Sequence, residues 1–166
     1  MKTLLIIRHA KSSWDNINTP DIDRPLNDRG KKDAPAMARK LKKAGISVDR
    51  LVSSPARRAR HTAELFAREF DLKEKDIVIL NELYHAQPPT FQQVIADLDD
   101  GDNTVALFSH NPGITAFVNT LSSVRLDNMP TCAVFAIKSG SPKWSEFLSG
   151  DRQFLFFNYP KSPAAD

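Results

Sequence analysis

The 166-residue chain contains a single cysteine, Cys132, and only two tryptophans and two tyrosines. One cysteine excludes an internal disulfide and is typical of a reducing compartment. No apolar run approaches the roughly 20 residues that a membrane-spanning helix needs. The first apolar stretch stops at Arg8, too early for the hydrophobic region of a secretory signal peptide. We therefore expect a cytoplasmic protein that does not contact a membrane.

Strong charge of one sign is also absent, since 23 Lys and Arg stand against 20 Asp and Glu, a net charge of +3. No dense basic block occurs beyond residues 57–60, so nucleic acid is not an expected partner. The four histidines show no close pair with metal-ligand spacing. The acidic run at residues 97–102 has a glycine where a calcium loop needs a ligand. We expect neither a metal nor a cofactor.

Three common phosphate chemistries lack their motifs. The chain has no G-x-x-x-x-G-K-[ST] sequence and therefore no P-loop. The sixth residue after Cys132 is Lys138 rather than arginine, which excludes a thiol-phosphatase loop. Cys132 is instead interpreted as a core residue of a strand. The Asp21-Ile22-Asp23 segment resembles an aspartate nucleophile pair, but no apolar strand precedes it.

Short apolar segments alternate with helical patterns along the chain. Continuous apolar strands separated by helices indicate a mostly parallel sheet covered on both faces, an α/β protein with three α/β/α layers. One domain is expected over residues 1–159, with a flexible tail at 160–166. The first helix should carry Pro35 in its first turn. Strands are predicted at residues 3–8, 50–53, 77–80, 104–109, 132–137 and 154–158, and helices at 31–44, from Ser54-Pro55, after Pro88-Pro89-Thr90 and from Asn111-Pro112.

Basic and imidazole side chains follow three of these strands. The first strand ends in Arg8-His9, the second runs into a helix that carries Arg58, and the fourth ends before His110. Ligands of parallel sheets gather at the carboxyl ends of the strands, and helix N-termini favour anions. Each feature alone has a structural explanation: a charge at a strand end, a solvated helix face or a capped histidine. Together they predict a site for an anion the size of phosphate.

Four segments, "RHAKSSW", "DRPLNDRGKKDA", "SSPARRARHTAE" and "SHNPG", resemble in order the histidine phosphatase superfamily, which has the phosphoglycerate mutase-like fold. Within it the chain resembles the small bacterial phosphohistidine phosphatases that act on phosphorelay proteins. The resemblance implies that His9 is a nucleophile that is transiently phosphorylated. It makes Arg8, Arg58 and His110 the phosphate pocket. Glu82 matches the position of the general acid in larger members, and a structural carboxylate is the alternative.

The chemistry of phosphoryl transfer adds expectations about the pocket. His9 should be neutral to attack phosphorus, and His110 should be protonated to bind a dianion. We expect Lys11, Ser12, Asn16 and Asn111 to contact the phosphate or its carrier, while Trp14 either docks a partner or packs on its own loop.

The expected function is removal of phosphate from a phosphorylated histidine protein by a metal-independent monomer. A compact chain has little room for a lid, and an open pocket suits a phosphate carried on a protein. A small-molecule phosphomonoesterase and a non-catalytic phosphate-binding adaptor remain alternatives.

Overall fold

A computed structural model describes residues 1–161 of the chain. Within them, six strands form one sheet in the order β3-β2-β4-β1-β5-β6, and four α-helices cover it. The strands are β1 (Lys2–Arg8), β2 (Arg50–Ser53), β3 (Val78–Ile79), β4 (Thr104–Ser109), β5 (Val134–Ser139) and β6 (Arg152–Asn158). The helices are α1 (Asp28–Lys43), α2 (Arg57–Glu69), α3 (Pro88–Ala96) and α4 (Gly113–Val118).

The register of the central strands decides where the polar strand ends lie. Strand β1 runs parallel to β4, with Ile7 beside Phe108 and Arg8 beside Ser109. On its other side β1 pairs antiparallel with β5. Strands β2 and β3 continue the parallel part of the sheet beyond β4. The residues that follow Arg8, Ser53 and Ser109 therefore emerge at one edge of the sheet.

Alternating side chains of β1 enter two separate cores, one on each face of the sheet. Leu5 and Ile7 lie in a core shared with α1 and α2, whereas Leu4 and Ile6 lie in a core shared with α3 and α4. Burial of both faces accounts for the continuous apolar sequence of this strand. The predicted three-layer α/β/α sandwich with a mostly parallel sheet is confirmed.

The first helix begins earlier than its apolar pattern indicates. Asn27 caps it through a side-chain oxygen that accepts a hydrogen bond from the backbone N–H of Gly30, at 2.9 Å. Residues 28–30 therefore belong to α1, and Pro35 lies well inside the helix rather than in its first turn. The prediction for Pro35 was wrong because polar capping, not the apolar stripe, sets the start of this helix.

Three other helices also begin away from their predicted first residues. Helix α2 begins at Arg57, because Ser54 turns its hydroxyl toward the N–H of Ala56 within the preceding turn. Helix α3 begins at Pro88 and helix α4 at Gly113.

Strand bounds differ from the predictions mainly at the last two strands. Cys132 is fully buried, as predicted, but it lies in a turn before β5 with a left-handed φ of 61°. Its N–H donates to the carbonyl oxygens of Arg8 and His9, so the turn closes over the end of β1. Strand β6 begins at Arg152, two residues before its predicted start. The predicted tail lies outside the described residues from position 162 onward.

None of the helices in residues 1–161 is both long enough and apolar enough to cross a membrane.

Candidate functional site

Two histidines and an arginine meet at the carboxyl edge of the sheet. His9 follows β1 directly and His110 follows the neighbouring strand β4, so the parallel register brings their rings to a centroid separation of 5.2 Å. Arg58 projects from the first turn of α2 and places its Nε atom 3.4 Å from Nε2 of His9. All three side chains are buried. The predicted convergence of these residues is therefore seen in the structure.

Hydrogen bonding fixes the proton position on His9. Its Nδ1 atom lies 2.7 Å from the carbonyl oxygen of Ala10, which only accepts, so Nδ1 carries the proton. The Nε2 atom then keeps its lone pair and faces Arg58. Burial, together with the charges of Arg58 and Arg8, outweighs the Ala10 hydrogen bond and lowers the pKa of His9 to about 3. His9 is a neutral imidazole at physiological pH.

Asp21 anchors the guanidinium of Arg58 from the loop after β1. Its backbone oxygen accepts from Nη1 of Arg58 at 2.7 Å, and its carboxylate accepts from Nη2 at 3.1 Å. The same carboxylate accepts hydrogen bonds from Arg24 and from the hydroxyl of Tyr84. Partial desolvation raises the pKa of Asp21, but the Tyr84 hydroxyl and Arg58 overcome it and hold that pKa well below its usual range. Asp21 is therefore a permanent carboxylate.

Thr62 ties helix α2 to the turn after β1. Its hydroxyl accepts from the N–H of Ala10 at 3.0 Å and donates to the carbonyl oxygen of Arg58 at 2.7 Å. The Thr62 hydroxyl thus links Ala10, which orients the His9 ring, to Arg58, which faces that ring. Because both bonds are buried, their loss would leave unsatisfied polar groups inside the protein.

Arg8, at the end of β1, is held by the 122–131 loop. Its Nη1 atom donates to the carbonyl oxygen of Met129 at 2.9 Å. Asn111 donates to the same carbonyl at 3.2 Å and accepts from the hydroxyl of Thr115. Burial and the charge of Arg58 lower the pKa of Arg8, but arginine stays protonated in proteins. Two guanidinium groups therefore supply fixed positive charge.

His110 is neutral with the protein's own groups around it. Its Nε2 atom lies 2.7 Å from the hydroxyl oxygen of Ser54. Burial lowers its pKa most, and nearby His9 and Arg58 lower it further, to about 2. The expected protonation of His110 therefore requires the negative charge of an anion bound in the pocket, and it remains a prediction.

Two buried nitrogen atoms in this region have no hydrogen-bond partner within residues 1–161. They are Nε of Arg8 and Nδ1 of His110. Buried polar nitrogens in folded proteins normally have partners, and a guanidinium N–H suits a phosphate oxygen. The pocket therefore has unused donor capacity for an oxyanion. No group of three or more His, Cys, Asp or Glu side chains in the described part of the chain could hold a metal ion.

The structure gives three of the four predicted substrate-contacting residues other partners. Ser12 is buried and its hydroxyl accepts from Nη1 of Arg24 at 2.6 Å. Asn16 is exposed and accepts from the N–H of Asn18 within its own turn. Asn111 uses its side-chain nitrogen and oxygen to hold the 122–131 loop and α4. Lys11 is exposed, while its backbone carbonyl accepts from the N–H of Asn27.

Glu82 is not brought together with the two histidines. It lies in a short 3-10 turn, Asn81–Leu83, and is exposed. Its side chain lines a groove with Thr90 and Gln93 of α3, together with the Arg50 end of β2. The turn directs the next residues, Tyr84 and His85, toward His110 instead, with ring centroid distances of 5.5 and 5.8 Å. The placement gives no support to a general-acid role for Glu82.

Several groups that build the pocket carry little signal in the sequence. Asp21 has no apolar strand before it and was not predicted as a site residue, although it anchors Arg58. Arg24 stacks on Trp14, with its guanidinium carbon 3.7 Å from the ring centroid, and connects Ser12 to Asp21. Trp14 therefore packs on its own loop, the second of its two predicted settings. The only signal for Asp21 in the sequence is that residues 21–24 follow soon after the Arg8-His9 pair.

Comparisons with known proteins agree with this geometry. Residues 4–85 match the family model of the histidine phosphatase superfamily, branch 1. A 2,3-bisphosphoglycerate-dependent phosphoglycerate mutase of Methylocella silvestris is 31% identical over 133 residues, covering 74% of this chain and 65% of that protein. An uncharacterised chloroplastic protein of Arabidopsis thaliana is 27% identical over 153 residues, covering 87% of this chain and 70% of the other.

Among solved structures, a SixA protein of Agrobacterium tumefaciens has a TM-score of 0.79 and 25% identity, with 96% of this chain and 99% of the other covered. The protein histidine phosphatase SixA solved with tungstate has a TM-score of 0.80 and 24% identity, covering 95% and 97%. The predicted family is confirmed. The chain therefore belongs to the histidine phosphatase superfamily with the phosphoglycerate mutase-like fold, and the family match together with the phosphatase structures supports a phosphatase.

Proposed function

We propose that the chain removes phosphate from phosphorylated histidine in a protein, through a covalent phosphohistidine formed on His9. The observation that carries the proposal is the fixed tautomer of His9. Its protonated Nδ1 is bound by Ala10, and its Nε2 lone pair lies 3.4 Å from the Nε of Arg58. A buried neutral imidazole beside guanidinium groups is suited to attack a phosphoryl group that those groups bind.

The arginines supply the charge that phosphoryl transfer needs. Positioning and electrostatic stabilisation account for most catalysis of this reaction, since little covalent work is left to the protein. Arg8 and Arg58 approach the pocket from β1 and α2, and Nε of Arg8 has no partner among residues 1–161. They offer forked contacts to the equatorial oxygens of the transferred group.

His110 completes the pocket and gains a proton when the substrate binds. Burial lowers its pKa when only the protein's groups are present. A bound dianion raises that pKa by Coulomb attraction, and the unpartnered Nδ1 of His110 is a place for the added proton. In this proposal His110 is charged by the substrate, while His9 stays neutral because its lone pair is committed to phosphorus.

Phosphohistidine is favoured over phosphate esters because it needs no carboxylic acid to protonate its leaving group. An alkyl phosphate expels an alkoxide and needs a general acid, whereas a protonated phosphohistidine expels a neutral imidazole. Asp21 has a strongly lowered pKa and cannot donate a proton near neutrality. Glu82 lines a different groove. The SixA relatives, one of them named a protein histidine phosphatase, support the same substrate class.

The experiment that tests the proposal compares substrates on the full chain. Phosphate release is measured from a histidine-phosphorylated carrier protein and from a panel of sugar and nucleotide phosphates. We expect kcat/KM to be highest on the phosphoprotein, because a protonated phosphohistidine expels a neutral imidazole without a proton from the enzyme. Higher values on a sugar or nucleotide phosphate would replace the proposal with a small-molecule phosphomonoesterase. Phosphate binding without release from any substrate would indicate an adaptor.

A further inference from the structure

Asp21, Tyr84 and His85 form a partly exposed cluster at the mouth of the pocket, beside His110. The carboxylate of Asp21 accepts from the Tyr84 hydroxyl at 2.5 Å and lies 3.6 Å from Nε2 of His85. The rings of Tyr84 and His85 are 4.0 Å apart, and the ring of His85 is 5.8 Å from that of His110. We call Asp21, Tyr84 and His85 the mouth cluster.

We propose that His85 is a proton donor to the leaving group, which gives this phosphatase a further activity on phosphate esters. The inference rests on the proposed function, because it uses phosphoryl transfer to His9. It assigns to His85 the role that the sequence pattern assigned to Glu82.

Exposure separates His85 from the other histidines of the pocket. The side chain of His85 is 56% exposed, whereas His110 is 2% exposed. An exposed imidazole exchanges protons with water between turnovers, which a buried ring does much less readily. The buried rings of His9 and His110 have strongly lowered pKa values and serve other steps. His85 is thus the histidine suited to supply a proton from solution.

The groups near His85 differ in their charge and in their hydrogen bonds. Asp21 contributes a permanent carboxylate at ion-pair distance. The same carboxylate accepts hydrogen bonds from Arg58 and from the Tyr84 hydroxyl. Because the Tyr84 hydroxyl donates to Asp21, its proton is not available to the leaving group. The His110 ring lies 5.8 Å from that of His85, and the bound dianion offsets the charge that His110 gains with substrate. The Asp21–His85 pair of the mouth cluster therefore resembles the carboxylate–imidazole pairs that hold catalytic histidines in place.

The backbone of His85 is held in an unusual conformation. Its φ is 56°, in the left-handed region that a histidine enters at some cost. The neighbouring Ala86 is buried, and its carbonyl oxygen lies against Gly113, where an added Cβ would come within 1.7 Å. Tight packing of Ala86 against Gly113 therefore fixes the backbone next to His85. Strained residues that surrounding packing holds in place cluster at active sites.

Both halves of the proposed cycle conserve atoms, electrons and protons. The Nε2 lone pair of His9 forms a bond to phosphorus as the ester P–O bond breaks. The oxygen keeps the electron pair of that bond and takes the proton of the His85 imidazolium, so the alcohol or phenol leaves neutral. In the second half a water oxygen attacks phosphorus as the P–N bond breaks, and neutral His85 accepts a proton from that water. The electron pair of the P–N bond returns to Nε2 of His9. Phosphate, free His9 and protonated His85 result.

The test compares leaving groups of different basicity with full-length protein. Hydrolysis of phenyl phosphate, p-nitrophenyl phosphate and a histidine-phosphorylated carrier protein is measured for the unmodified chain and for His85→Gln. We expect His85→Gln to lower kcat/KM for phenyl phosphate about 10²-fold and for p-nitrophenyl phosphate less than about 3-fold, because p-nitrophenolate needs no proton.

Two matched variants serve as controls. His61→Gln removes a half-buried histidine of α2, and Glu82→Gln removes the carboxylate that lines the other groove. Both should keep phenyl phosphate hydrolysis within about twofold of the unmodified chain, a change too small for the loss of a general acid. A large loss in Glu82→Gln confined to phenyl phosphate would transfer the role to Glu82 and overturn the inference.

Other outcomes separate this inference from the proposed function. Equal losses of both aryl phosphates in His85→Gln would mean a structural role for His85 and overturn the inference. An unmodified chain that hydrolyses the phosphoprotein but no aryl phosphate would also overturn it and leave the proposed function intact. A chain that hydrolyses none of the three substrates would overturn both.

Discussion

The Nε atom of Arg58 lies 3.4 Å from Nε2 of His9, although the two residues are 49 positions apart in the chain. The contact depends on two separate supports. Strand β1 delivers His9 to the sheet edge, and Ala10 orients its ring. Asp21 holds the far end of the Arg58 guanidinium. The proposed nucleophile and the group that would bind its substrate are thus held from different parts of the chain, and the Thr62 hydroxyl joins the backbone of Ala10 to that of Arg58.

Asp21 reduces the positive charge of the pocket, so removing its charge should strengthen anion binding. In Asp21→Asn the side chain keeps its size but no longer offsets Arg58. We expect inorganic phosphate to bind several-fold more tightly, since a unit charge near the site is worth on the order of 1 kcal/mol at surface-like screening. Isothermal titration calorimetry measures the change. The exposed Asp151→Asn is the control and should leave the affinity unchanged. Weaker phosphate binding in Asp21→Asn would contradict the conclusion that the Asp21 charge opposes anion binding.

The two buried histidines should make folding sensitive to mild acid. Their folded-state pKa values are lowered, to about 3 for His9, so the unfolded chain binds these protons more tightly. The free energy of unfolding should therefore fall as pH drops below about 6.5, by at most about 1.4 kcal/mol per pH unit for each histidine. Urea unfolding at pH 7.5, 6 and 5 measures the slope. A double variant, His9→Gln with His110→Gln, should show a smaller slope, and an unchanged slope would argue against buried neutral rings.

The main outline of the pocket was predictable because strand ends in a parallel sheet share an edge. Arg8, His9 and His110 follow apolar strands in the sequence, and the observed register of β1 and β4 brings the two histidine rings together. Arg58 was predictable for the same reason, from its place after β2. These positions depend on local patterns and on one topological rule.

The supporting residues were not predictable, because their partners are remote in sequence. Asp21 meets Arg58 across 37 positions and Tyr84 across 63, and no local pattern specifies either contact. The direction of Glu82 depends on a single 3-10 turn, which points Tyr84 rather than Glu82 toward His110. Cys132 has a strand-like apolar setting, yet its backbone closes over β1 in a left-handed turn.

Gly113 should be essential for the packing of α4 against the loop that carries His85. A Cβ there would lie 1.7 Å from the carbonyl oxygen of Ala86, and neither backbone segment yields easily. We expect Gly113→Ala to lower the free energy of unfolding by about 1–3 kcal/mol, the range for overpacking. Gly140→Ala is the matched control, because nothing lies within 4 Å of the position that its added Cβ would take. Chemical denaturation compares the two, and equal stability would contradict the tight contact.

Trapping of the phosphorylated enzyme tests the nucleophilic role of His9 most directly. The full chain is mixed with a histidine-phosphorylated carrier protein and quenched in alkali within the first turnovers, and its peptides are analysed by mass spectrometry. We expect one phosphate that is stable in alkali and labile in acid, on the peptide that carries His9. The His9→Ala variant should show no such phosphate and no turnover, while it still binds inorganic phosphate. Undiminished turnover in His9→Ala, or phosphate trapped on a different residue, would contradict the proposed mechanism.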